Sequence, residues 1–148
     1  MPETCASAVI PADPASVWHV VRNFDGLPAW QPGVTHSALG EGDAGDRVGG
    51  TRTLRLADRS TVTESLVALD DHRRSLTYEI VESPYPVRSY RSTIRVLPLT
   101  TTGESFVLWS LRFDCDARDA ERLTASFCDG VLTLGLHGLA DHFTRAGD

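Results

Sequence analysis

Between residues 51 and 97 the chain alternates apolar and polar side chains in four successive short stretches. In "TRTLRL", Leu54 and Leu56 share a side with Arg52. In "TVTESLVAL", Val62 and Leu66 share one with Glu64. Leu76, Tyr78 and Ile80 line up in "SLTYEIV", and Tyr90, Ser92, Ile94 and Val96 in "RSYRSTIRVL". A period of two marks half-buried β-strands, because successive Cβ atoms point to opposite faces. The turn sequences "ADRS", "DDHR" and "ESPYP" separate them, so neighbours run antiparallel. "CASAVI", "VTHSAL" and "SFVLWSLRF" read as further strands, about seven in all. A sheet with one apolar face needs a cover. Residues 117–143 supply it. Leu123, Phe127, Val131 and Leu134 form one stripe, with Leu132, Leu136, Leu139 and Phe143 beside it, on a helix of about 40 Å.

The segment "VIPADPASVWHVVRNFDGLPAW" lies between the first strand and the rest. Pro11 ends the strand, Asp13 is a good N-cap, and Pro14 suits the first helical position. Val17, Trp18, Val21 and Phe24 give one apolar helical face. Gly26 and Pro28 break that helix, and "LPAW" reads as a second helical turn. The length of 148 residues suits one α+β domain spanning residues 1–148.

Matching the apolar faces sets an expected register. A three-residue loop at Ala57–Arg59 places Arg52 opposite Glu64. Loops at Asp70–His72 and Glu82–Pro86 then place Glu64 opposite Tyr78 and Tyr78 opposite Tyr90. Arg59 is the weak link, because Gly fits such a loop position more easily. The result is an inward row of Arg52, Glu64, Tyr78 and Tyr90. Buried charges are costly unless paired. The row is therefore either a structural ion pair capped by tyrosines or the lining of a cavity between sheet and helix.

Composition and motifs exclude several functions. A net charge of −6 disfavours nucleic acid and anionic membranes. All basic residues are Arg, so no Schiff-base lysine is present. Cys5, Cys115 and Cys128 have no paired spacing and read as reduced thiols. The start of the chain lacks a signal-peptide pattern and no run reaches a membrane span, so a cytoplasmic location is expected. "GEGDAG" (residues 40–45) fits a nucleotide-binding glycine pattern but precedes a strand rather than a helix. His137, Asp141 and His142 form no complete ligand set, so no metal is expected, nor any cofactor.

The pieces "IPADPASVWHVVRNFDGLPAW", "VGGTRTLRL…STVTESLVALDD", "SLTYEIVESPYPVRSYRSTIRV", "VLWSLRFD" and "VLTLGLHGLADHF" together resemble the Bet v 1-like, START-related (SRPBCC) superfamily. Within it they are most like the bacterial polyketide cyclase/dehydratase and lipid-transport group. The resemblance implies a helix-grip fold. A curved antiparallel sheet wraps the long C-terminal helix, two short helices close one end, and a cavity for an apolar ligand lies between. It places Trp18 in packing and Trp30 near the mouth. Expected ligand-binding residues are Trp30, Arg52, Leu54, Glu64, Tyr78, Tyr90, Trp109, Phe127, Val131 and Leu134. Two functions follow. One is an enzyme steering cyclisation or dehydration of a poly-carbonyl chain. In it Tyr78, Tyr90 or Arg52 stabilises an enolate and Glu64 or His36 moves the proton. Pairing with Arg52 is expected to lower the Glu64 pKa and make it a poor base. The other function is a non-catalytic carrier of an apolar or aromatic small molecule, with Arg52 as polar anchor.

Overall fold

The computed structural model describes residues 1–146. Strand β1 (Glu3–Ile10) leads into helix α1 (Pro14–Val21) and a 3₁₀ turn (Leu27–Ala29). Then come β2 (Val34–Leu39), β3 (Thr51–Leu56), β4 (Thr61–Asp70), β5 (Ser75–Glu82), β6 (Val87–Pro98) and β7 (Ser105–Cys115). The C-terminal helical rod is α2 (Ala117–Phe127), a π-helical segment (Cys128–Thr133) and α3 (Leu134–Ala146). The seven strands form one antiparallel sheet in the order β1-β7-β6-β5-β4-β3-β2.

Each boundary has a local cause. Asp13 caps α1 by accepting from the Ser16 amide at 3.1 Å, with Pro14 at the first position. Helix α1 is shorter than the apolar spacing predicts. It stops at Val21, and Phe24 reaches the core from the following turn. Trp18 donates from Nε1 to Asp71 at 2.9 Å, and Arg22 joins the same carboxylate at 2.8 Å. These contacts fix α1 against the β4–β5 turn. The rod is long and apolar enough to cross a membrane by length and composition. Here Leu123, Phe127, Leu132, Leu136 and Leu139 turn that surface into the core instead.

The β3–β4 register is as expected, with Arg52 opposite Glu64 and Leu54 opposite Val62. Arg59 accommodates the loop at φ 73°, in the left-handed region that favours glycine. Asp58 steadies it by accepting from the Ser60 amide at 2.9 Å and hydroxyl at 2.6 Å. The other two expected pairings are overturned. Glu64 faces Ile80 and Leu66 faces Tyr78, because β4 carries irregularities next to Glu64 and between Leu66 and Ala68. Tyr78 faces Ser92, and β5–β6 pairing ends at Glu79–Arg91, before Tyr90. Both shifts are of two residues. A shift of two keeps every side chain on its face, so the inward row survives with its partners changed.

Candidate ligand-binding cavity

The end of the β5–β6 ladder is where the interior opens. Beyond Glu79–Arg91 the two strands separate around the Pro84–Tyr85–Pro86 turn. A cavity of about 90 Å³ lies behind this opening. Its inner wall is formed by the buried Leu54, Val62, Glu64, Tyr78, Tyr90 and Trp109. Leu27, Gln31 and Val34 close one side. The half-exposed Gly33, Leu56, Ile80, Tyr85 and Val131, with the exposed Gly130, form the rim.

Six expected residues therefore meet in this space: Leu54, Glu64, Tyr78, Tyr90, Trp109 and Val131. Three stand behind its wall. Trp30 is buried against Trp109, with ring centroids 5.7 Å apart, rather than at the mouth. Phe127 packs edge-on against Tyr85, Tyr90 and Phe113, each at 5.1 Å. Arg52 is 4% exposed and lies outside the lining. Leu134 is 36% exposed, because the π segment turns the helix stripe that was expected to carry it inward. His36 is exposed, its Nδ1 3.0 Å from Thr35 Oγ1, and does not reach the cavity.

Arg52 is a clamp. Its Nε donates to Glu64 Oε1 at 2.9 Å and its Nη2 lies 2.8 Å from the same oxygen. Its Nη1 donates to the Phe24 carbonyl at 2.6 Å. The guanidinium sits 4.0 Å from the Phe24 ring centroid and 5.0 Å from that of Tyr78, a favourable face-on placement. Both Arg52 contacts fall on Oε1. Among the described residues no hydrogen bond reaches Oε2, on a side chain that lines the cavity.

The electrostatics reverse one expectation. Burial raises the Glu64 pKa above its ordinary value, and the opposing pull of Arg52 does not cancel that. Tyr78 and Tyr90 are also pushed up, first by burial. The nearby Glu64 charge adds to the rise at Tyr78, as the Tyr78 and Glu64 charges do at Tyr90. Both phenols stay protonated at neutral pH and serve as donors. Behind them Trp109 donates from Nε1 to Ser92 Oγ at 2.9 Å, and the Ser92 hydroxyl in turn donates to the Ser110 carbonyl at 2.8 Å. This chain of bonds holds the indole face against the space.

Gln31 and Tyr85 are lining residues that sequence reasoning missed. Gln31 donates from Nε2 to the Val131 carbonyl at 3.0 Å, tying the turn after the 3₁₀ segment to the π segment. A Cβ at Gly135 would collide with the Gln31 amide and with the Trp109 ring. Nothing periodic marks Gln31. Tyr85 had a signal, since an aromatic between two prolines in a polar turn is unusual surface chemistry.

Residues 1–144 match the family model described as "Polyketide cyclase / dehydrase and lipid transport". Abscisic acid receptor PYL2 from Arabidopsis thaliana is 31% identical over 155 residues, covering 98% of this chain and 80% of the receptor. The solved structure of protein XoxI from Bacillus cereus has a TM-score of 0.86 at 31% identity, covering 100% of this chain and 99% of that one. Major latex-like protein 151 from Panax ginseng, at 20% identity, has a TM-score of 0.78 over 96% of this chain and 97% of its own, and shares the fold. The chain belongs to the polyketide cyclase/dehydrase and lipid-transport family of the Bet v 1-like, START-related superfamily.

Proposed function

We propose that this protein binds an apolar or aromatic small molecule in the cavity between its sheet and its C-terminal helical rod. The observation that supports this most is the lining itself. An aliphatic and aromatic wall carries one carboxyl and two phenols at its inner end, the usual pattern of a small-molecule site. The relative named as an abscisic acid receptor adds weight to ligand binding over a purely structural role. In this conformation the space is about 90 Å³, against ~300 Å³ or more in typical ligand sites. A guest the size of one aromatic ring fits with small outward movements of the rim at Gly33, Leu56, Tyr85 and Gly130, and a larger guest needs the rim to give way further. Native mass spectrometry of the protein purified from the cells that make it tests this reading. A stoichiometric small molecule, lost on unfolding, is the expected result. Protein that is bare, and that shifts no cavity signals with any apolar probe, overturns it.

A specific observation favours catalysis as a second reading. A carboxyl whose pKa is raised by burial is better matched to proton transfer near neutral pH than an ordinary Glu. Beside it, two protonated phenols could steady an enolate oxygen while the wall orients a folded poly-carbonyl chain. Incubation with a poly-β-ketone substrate separates the two readings. In the enzyme, Glu64→Gln lowers turnover by ~10²-fold or more while binding persists. In the carrier, there is no turnover to lower and the same substitution changes affinity alone.

A further inference from the structure

The charges at this cavity are unevenly placed: the Glu64 carboxyl lines it, and its partner Arg52 stands behind the wall. Its lining holds one carboxyl, Glu64, and no Arg, Lys or His. Arg52, the cation nearest that carboxyl, is already committed. It gives Nε and Nη2 to Glu64 Oε1 and Nη1 to the Phe24 carbonyl, and it lies behind the wall against the rings of Phe24 and Tyr78. The Gln31 amide is committed as well, its Nε2 to the Val131 carbonyl and its Oε1 to the Gly33 amide. What remains to meet a guest is the Oε2 acceptor of Glu64 and the hydroxyls of Tyr85 and Tyr90, with that of Tyr78 shared among Ser92, Trp109 and Tyr90.

We infer that the cavity selects an uncharged ligand bearing a hydroxyl, donated to Glu64 Oε2 and accepting from a tyrosine, and that it rejects carboxylates. The inference rests on the cavity being the binding site and names the ligand class of that site. An anionic guest would be desolvated beside Glu64 with no cation in the wall to offset it, which is strongly unfavourable. A hydrocarbon guest would leave Oε2 without a donor. An alcohol or phenol satisfies both sides, and a site built to hydrogen-bond a hydroxyl discriminates against analogues that lack it.

Benzyl alcohol, benzoate and toluene test this with one ring and three substituents. Each is titrated into the wild-type protein at pH 7 and followed by methyl NMR at Leu54, Val62, Ile80 and Val131. Benzyl alcohol is expected to bind ~10-fold or more tightly than benzoate, and several-fold more tightly than toluene. Glu64→Gln is expected to shrink the gap between alcohol and benzoate, while the wild-type series decides without any variant. Benzoate binding in the cavity as tightly as the alcohol overturns the inference and leaves the cavity standing as a site. If none of the three shifts the cavity methyls, both the site and its selectivity are wrong.

Discussion

Arg52 and Glu64 carry opposite charges into a wall that is otherwise apolar, at 4% and 5% exposure. A buried pair of this kind contributes less to net stability than its short contacts suggest, because both ions are stripped of water. Removing one partner is another matter. Arg52→Met is expected to cost about 3–5 kcal/mol, since Glu64 is left buried and unpaired. Arg52→Met combined with Glu64→Leu is expected to recover most of that loss, as read from urea denaturation midpoints. The pair also sets a pH dependence. Burial holds Glu64 above its ordinary value of 4.5, so the folded chain holds that proton more tightly than the unfolded one. The contribution of Glu64 is then fully present below pH 4.5 and is lost as pH rises through the folded value. Asp71 has the opposite sign. Hydrogen bonds from Arg22 and then Trp18 hold it below 3.8, so its contribution is present above 3.8 and lost as pH falls through its lower folded value. Glu64→Gln is accordingly expected to flatten the decline in stability above pH 4.5 and to leave the acid limb in place, measured by denaturation across a pH series.

The elements show where sequence was informative and where it was silent. Strand alternation gave the inward face of Arg52, Glu64, Tyr78 and Tyr90 correctly, because parity depends only on the period of two. It did not give the exact partners. The irregularities in β4 fall at Thr63/Glu64 and Leu66/Ala68, and no residue type at 63–68 announces them. The rod tells a similar story. Its apolar stripes predict one continuous helix, whereas the π segment Cys128–Thr133 interrupts it and leaves Leu134 exposed. Gln31, Tyr85 and the splayed end of β5–β6 come from loops, where no periodicity constrains the reading. The rod's glycines have separate roles. A Cβ at Gly138 would run into the Trp30 carbonyl and come within 2.7 Å of Pro32. Gly138→Ala is therefore expected to destabilise by about 1–3 kcal/mol despite the better helix propensity of Ala. At Gly130 nothing lies within 4 Å of the added Cβ. Gly130→Ala is expected to stabilise by about 0.5–1 kcal/mol. Thermal or urea unfolding of both variants, side by side, checks the contrast.

At the scale of the whole molecule, the sheet buries one face against a single rod, and the cavity lies where three irregular features meet. These are the splayed end of β5–β6, the turn after the 3₁₀ segment, and the π segment. The space they leave is small and partly polar, and the account of function depends on that space receiving a guest. Methyl NMR with toluene, which carries no charge and makes no hydrogen bond, measures this most directly. Saturable shifts confined to Leu54, Val62, Ile80 and Val131, abolished when Val131→Phe fills the space in a folded protein, are the predicted result. Shifts that fall instead on the outer face of the sheet, or that persist undiminished in Val131→Phe, would contradict it.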